Sequence, residues 1–254
     1  MARSFRREKH WWTVQHGGAP RWLLLLAGIF LIACAVIVVA FRPVDVAQPT
    51  DTQIPVMSTE NDDKGPFVIA YIGDSYTSGS LMNDGTESLW TSKVEGDFVP
   101  FRLAAGGTGY VSASEGGAPK SFVGQAARVP DDSNIVIFLG SRNDGQVDYE
   151  TIKTAALKAF SQTSANAPSA TIVVIGPVWT NATPPTGVVE ASRAVGDAAR
   201  TAGLLFVDPL AEKWFAEMPG LIGSDGVHPT NAGHLYLAEK IQPLLDEAVA
   251  IQTR

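Results

Sequence analysis

From residue 66 onward, short apolar runs alternate with longer stretches in which apolar positions are spaced apart. FVIAYIG (67–73), VPFRLAAG (99–106), NIVIFLG (134–140), TIVVIGPV (171–178) and GLLFVD (203–208) are the short runs. They are rich in β-branched and aromatic residues, the signature of strands. Three are continuous apolar runs, as parallel strands covered on both faces require. Near 118–128, 148–166, 187–202 and 232–250 the pattern becomes helical. In the last of these Ala232, Leu235, Ala238, Ile241, Leu244 and Leu245 recur at intervals of three and four. Strand and helix alternating over roughly 190 residues predict one α/β domain with helices on both sides of a parallel sheet. Ligands of such sheets bind at the carboxyl ends of the strands. Ser75, Gly106, Gly140 and Trp179 fall at or just past those ends.

The front of the chain follows a different pattern. Residues 22–41, WLLLLAGIFLIACAVIVVAF, form an uncharged run long enough to span a bilayer as a helix. The basic segment 1–21 precedes it and Asp45 and Asp51 follow it, so the positive-inside rule predicts a cytoplasmic N-terminus and an exported body. The expectation is an uncleaved transmembrane anchor at the cell membrane. Two other readings stay open: ACA (33–35) resembles a signal-peptidase site and LIAC (31–34) a lipoprotein cleavage box, either of which would yield a secreted or lipid-anchored protein. Against both, AVIVVAF continues the apolar run beyond them. Residues 42–65 hold Pro43, Pro49, Pro55 and an acidic patch with no apolar period, and read as a flexible linker to a domain at 66–254.

Charge sharpens this division. Residues 1–42 carry six of the 19 basic residues and one of the 26 acids, leaving the remainder with 13 basic and 25 acidic residues, a net −12. Such an acidic body argues against a nucleic-acid partner, because phosphate binding needs clustered Lys and Arg. The single cysteine, Cys34, lies in the apolar run, which excludes a disulfide or Cys-ligated metal framework in the domain.

Candidate chemistry is narrowed by the histidines. Of four, His10 and His16 precede the apolar run, leaving His228 and His234 for the exported domain. His228 lies in SDGVHPT with Asp225 three residues before it. A short Asp-x-x-His loop can fold so that the carboxylate accepts from imidazole Nδ1 and leaves Nε2 free to take a proton. The plainer alternative is a turn with an ordinary loop histidine. His234, in the first turns of a helix, reads as structural. Ser75 follows an apolar strand and precedes small residues, a strand-to-helix turn that exposes a nucleophile's oxygen and frees its N–H. Turn chemistry alone explains Gly-Asp-Ser equally well. AAGGTGY (104–110) offers glycine N–H groups and GSRND (140–144) the amide of Asn143, both suited to an oxyanion. Tyr76, Tyr110 and Trp179 stand near strand ends and are candidate walls of a substrate pocket. No metal-binding, phosphate-binding or dinucleotide motif is present, and no cofactor is expected.

Taken in order, these blocks resemble the SGNH (GDSL-type) hydrolase family in a membrane-anchored bacterial form. Gly73-Asp74-Ser75 with Gly79 matches the first block, the glycines at 106–109 the second, Gly140 through Asp144 the third, and Asp225 through Pro229 the last. The resemblance spans residues 67–250. It departs at Ala104, where the family often has a polar residue, and three glycines compete for one role; Gly106 is preferred, with Gly107 an alternative. It implies a three-layer α/β/α flavodoxin-like sandwich with a parallel central sheet. It also implies Ser75 as nucleophile, His228 as base, Asp225 as its orienting partner, and an oxyanion hole of the Ser75 N–H, Gly106 N–H and Asn143 amide. The expected activity is ester hydrolysis outside the membrane, on an O-acylated envelope glycan or lipid. Transfer of the acyl group to a glycan hydroxyl uses the same residues, and a non-catalytic glycan-binding protein of the same fold is the remaining alternative.

Overall fold

The computed structural model describes residues 65–254 apart from 115, 116, 217 and 219, and, in a separate unit, a two-residue antiparallel ladder of Gln15–His16 with Ala19–Pro20. The anticipated anchor at 22–41 and nearly all of the linker at 42–65 lie outside the described residues. Among the described residues no helix is long and apolar enough to cross a membrane.

Five parallel strands form the sheet: β1 (Phe67–Gly73), β2 (Phe98–Arg102), β3 (Ile135–Leu139), β4 (Thr171–Ile175) and β5 (Leu205–Val207). Their spatial order is β2-β1-β3-β4-β5. In register, Ile69 lies beside Ile135 and Ile135 beside Thr171. The helices are α1 (Ser75–Ser78), α2 (Phe122–Ala126), α3 (Tyr149–Asn166), α4 (Thr186–Thr201) and α5 (Asn231–Gln252).

Alternation along the strands builds two cores. Ala70, Ile72, Val136, Phe138, Ile172 and Val174 point to one face and pack on α2, α3 and the alanine-rich side of α4. Ile69, Tyr71, Ile135, Ile137, Val173 and Ile175 point to the other and pack on α5, Trp90, Trp214 and Phe215. This is the expected three-layer α/β/α arrangement, and it explains the unbroken apolar runs, because both faces of the central strands are buried. Side-chain caps start the longer elements: Asp148 accepts from the Thr151 N–H before α3, and Thr230 from the Gly233 N–H before α5.

Three expectations are corrected in extent. The strand foreseen at 99–106 ends at Arg102, because β2 is an edge; beyond it only the Leu103 N–H to Tyr71 and Ala105 N–H to Gly73 bonds follow the sheet. The helix foreseen at 118–128 shrinks to a 3₁₀ turn at Ala118–Lys120, with Pro119 in its first turn, and the short α2 capped by Ser121. The strand foreseen at 203–208 is Leu205–Val207, the opposite edge.

The chain runs from β1 outward to β2, then returns across β1 to build β3, β4 and β5 on its other side. The crevice where the direction reverses lies beyond the ends of β1 and β3, where α/β sheets of the 2-1-3-4-5 order bind ligands.

Candidate active site

Ser75 opens α1 immediately past β1. Asp74 is the N-cap: its Oδ1 accepts from the Tyr76 N–H at 2.9 Å. As the first helical residue, Ser75 has an N–H with no intrahelical acceptor. Gly79 ends the helix at φ 83°, a conformation that costs glycine little. The end of β1 is clamped by Gln125, fully buried, which accepts from the Gly73 N–H at 2.9 Å and donates to the Gly73 carbonyl at 3.1 Å.

The loop before α5 brings the second half of the site. Asp225 Oδ1 accepts from the backbone N–H groups of Val227 and His228 at 2.9 and 3.0 Å, which curls the loop into a turn. Its Oδ2 lies 2.7 Å from His228 Nδ1, and His228 Nε2 lies 3.0 Å from Ser75 Oγ. A carboxylate can only accept from Nδ1, so in the neutral imidazole Nε2 is the unprotonated nitrogen facing the serine hydroxyl. The His228 N–H, its imidazole and the Val227 N–H hold the Asp225 carboxyl down to about 2. The sequence-predicted trio is therefore assembled across 153 residues.

Of the predicted oxyanion donors, Gly106 lies beside the same serine. A Cβ added at Gly106 would stand 3.8 Å from the Ser75 Cβ and 3.9 Å from the Ser78 Oγ, so this backbone borders Ser75. Gly107 instead approaches Ser114, and Gly109 is pressed against Ser141 and Asp144. Of the three, Gly106 is the one beside Ser75. Asn143 Nδ2 donates to the Thr108 carbonyl at 2.8 Å and to Asp74 Oδ2 at 3.4 Å. The second bond is at the limit of useful length.

Asp144 was absent from the sequence-predicted site and organises it. Fully buried, its carboxylate accepts from the N–H groups of Tyr110 (2.7 Å), Val111 (3.3 Å) and Ser112 (2.8 Å). It thereby staples the Gly106 loop to the loop that carries Asn143. Its place in Gly-x-x-Asn-Asp was the available signal; its target, a backbone stretch over 30 residues away, was not visible.

The three candidate pocket walls fare differently. Tyr110 does not line a pocket: it is 1% exposed and packs against Phe122, Phe138 and Phe160 in the core. Tyr76 is 2% exposed and is a brace; its hydroxyl donates to the Val227 carbonyl at 2.6 Å and accepts from Arg142 Nη1 at 3.4 Å. Trp179 is half-buried, with the Arg142 guanidinium 4.1 Å from its ring centre. His234, read as structural, is fully buried, and its Nδ1 accepts from the Trp90 N–H at 3.4 Å.

The arrangement provides a hydroxyl, an imidazole held by a carboxylate, and the Gly106 backbone beside the helix-start N–H of Ser75, which together suit acyl transfer through a serine. Comparison with known proteins agrees. Residues 71–235 match the model of the GDSL-like Lipase/Acylhydrolase family. The chain is 40% identical over 188 residues to GDSL lipase Rv0518 of Mycobacterium tuberculosis (strain ATCC 25618 / H37Rv), covering 70% of this chain and 80% of that protein. Among solved structures it shares its fold with TesA (TM-score 0.58, 18% identity, 71% of this chain and 99% of that one). The same holds for Est24, a carbohydrate acetylesterase from Sinorhizobium meliloti (TM-score 0.52, 16% identity, 73% and 99%). An inhibitor-bound M. smegmatis aryl esterase is similar as well (TM-score 0.53, 16% identity, 72% and 99%). The chain belongs to the GDSL-like lipase/acylhydrolase family, and it is an SGNH-type serine esterase.

Proposed function

We propose that Ser75 is the nucleophile, His228 the base and Asp225 its orienting partner, in an esterase of the extracytoplasmic face that deacylates an O-acylated envelope glycan or lipid. The observation that carries the catalytic part is the continuous Asp225–His228–Ser75 chain at 2.7 and 3.0 Å. His228 Nε2 takes the Ser75 proton as Oγ bonds to the acyl carbon, and the carbonyl electrons move to its oxygen. The N–H groups of Ser75 and Gly106 and the Asn143 amide receive that oxyanion. The tetrahedral centre collapses, the C–O bond to the alcohol breaks, and His228 returns its proton to the leaving oxygen. Water, deprotonated by the same His228, then releases the acid and restores Ser75.

The location rests on the sequence: the basic segment 1–21 followed by the uncharged run 22–41 supports a membrane anchor with the domain outside. The substrate reading draws on that location and on relatives named a lipase and a carbohydrate acetylesterase.

The test is hydrolysis of a short-chain aryl ester by the full chain beside Ser75→Ala and His228→Ala. Both variants are expected to lose about 10⁴-fold or more in kcat. Hydrolysis by both at the wild-type rate would overturn the assignment. Addition of a glycan acceptor distinguishes the alternative: release of free acid that falls as acylated glycan appears would make the enzyme a transferase.

A further inference from the structure

A cleft of about 660 Å³ opens between residues 180–183 and the stretch from Met218 to Gly226, which ends two residues before His228. Thr180, Asn181, Thr183, Met218, Ile222 and Gly226 line it. Gly226 belongs to the acid–base loop, directly after Asp225. Next to Thr180 stands Trp179, whose indole N–H is buried and has no partner among the described residues. On the Trp179 ring lies Arg142, the residue before Asn143.

Arg142 has no ion-pair partner among the described residues, although its charge acts on the buried Asp74 carboxyl. The ion pairs of the described residues are Arg193–Glu190, Arg200–Asp197 and His228–Asp225, and none includes it. Among the described residues its guanidinium, with five N–H donors, makes one long bond, from Nη1 to the Tyr76 hydroxyl at 3.4 Å. It is half-buried, with its central carbon 4.1 Å from the centre of the Trp179 ring, in a domain whose net charge is strongly negative. A planar, oriented guanidinium is suited to a carboxylate or phosphate, which it can bind through paired hydrogen bonds.

Position decides which half of the substrate it meets. The leaving oxygen departs on the side of His228 Nε2, which protonates it. The cleft borders the loop that carries His228, and Arg142 reaches that loop through Tyr76, whose hydroxyl is 2.6 Å from the Val227 carbonyl. We infer that Arg142, backed by Trp179, recognises an anionic oxygen group, carboxylate or phosphate, on the alcohol half of the ester. This inference rests on the esterase reading above and narrows its substrate to acyl esters of acidic sugars or of phosphorylated polyols.

Acetate release by the full chain is measured on two matched pairs: O-acetylglucuronate against O-acetylglucose, and acetylglycerol phosphate against monoacetylglycerol. The wild type is expected to favour the anionic member of at least one pair by about ten-fold or more in kcat/KM, and the favoured pair names the oxyanion. Arg142→Gln is expected to bring that ratio close to one, and Arg142→Lys to retain part of it. A wild type without preference, a ratio that survives in Arg142→Gln, or a loss equal on both members of a pair overturns the inference; the last outcome makes Arg142 a brace for Tyr76. Turnover of a neutral aryl acetate through Ser75 separates the two levels. If that turnover is present but charge preference is absent, only the anion site falls; if neither is present, the esterase reading falls with it.

Discussion

Tyr76 follows Ser75 in the chain, yet its hydroxyl acts on the loop that carries the other half of the proposed catalytic pair. It donates to the Val227 carbonyl, between Asp225 and His228, while its ring packs edge-on against Phe215 with centres 6.3 Å apart. Burial pushes its pKa up to about 12, so it stays a donor throughout the working range. Tyr76→Phe removes the hydroxyl and keeps the ring. The expected result is a fall of about ten-fold in kcat with KM nearly unchanged, and a stability loss of about 1 kcal/mol by urea unfolding. A raised KM with kcat intact would instead make Tyr76 part of the substrate wall. Legibility at this scale depended on distance along the chain. Asp225 and His228 were readable as a pair because three residues leave a loop few ways to close. Ser75 and His228 were joined only through the scarcity of histidines and the family resemblance. Tyr110 was misplaced because nearness to a strand end does not reveal which way a side chain points.

Between strands and site stand the loops, and buried polar side chains hold them. Gln125 fixes the end of β1 through both backbone groups of Gly73, and Asp144 gathers three N–H groups of residues 110–112. Asp144→Ala would leave those donors without their acceptor, the Tyr110 N–H in the buried interior and the other two part-buried. The expected cost is about 3 kcal/mol or more in urea unfolding, from losing bonds to a charged acceptor. Loosening the Gly106 loop against Asn143 is expected to lower kcat by about a hundred-fold. An Asp144→Ala protein that unfolds earlier but turns over at the wild-type rate would show that the staple serves stability alone. Elements themselves were legible where they are central: β3 and β4 sit within the expected runs because burial on both faces writes a continuous apolar string. They were overdrawn at the edges, where β2 and β5 have a neighbour on one side only and local preference decides less. The targets of the staples were not legible, since they are backbone groups 32 to 52 residues away and backbone leaves no mark in a sequence.

For the molecule as a whole, two buried groups on either side of the site tie stability to pH in opposite directions. His234 is fully buried, and burial, with the nearby His228 charge adding to it, pushes its pKa from 6.5 down to about 4. The unfolded chain therefore takes up a proton below pH 6.5 that the folded chain refuses until about 4. The contribution of His234 is fully present above 6.5 and is lost as pH falls toward 4. Asp74 is 2% exposed; burial raises its carboxyl from 3.8 to about 7, against the Tyr76 N–H and the Arg142 and His228 charges, with Asp144 adding to the rise. Its contribution is fully present below 3.8 and is lost as pH rises through 7. Each group slopes by about 1.4 kcal/mol per pH unit where only one of the two states is protonated. Between about pH 4 and 6.5 the slopes overlap and cancel, while Asp225, near 2, titrates below that window. Urea midpoints of the wild type are thus expected to stay nearly level from pH 4.5 to 6.5. His234→Gln, which keeps an acceptor for the Trp90 N–H, is expected to lose stability as pH rises across that window. Asp74→Asn, which keeps a side-chain oxygen for the Tyr76 N–H, is expected to gain it. Because the slope is the readout, a constant stability offset from either substitution does not obscure the result, and two variant curves running parallel to the wild type would refute the opposed pair.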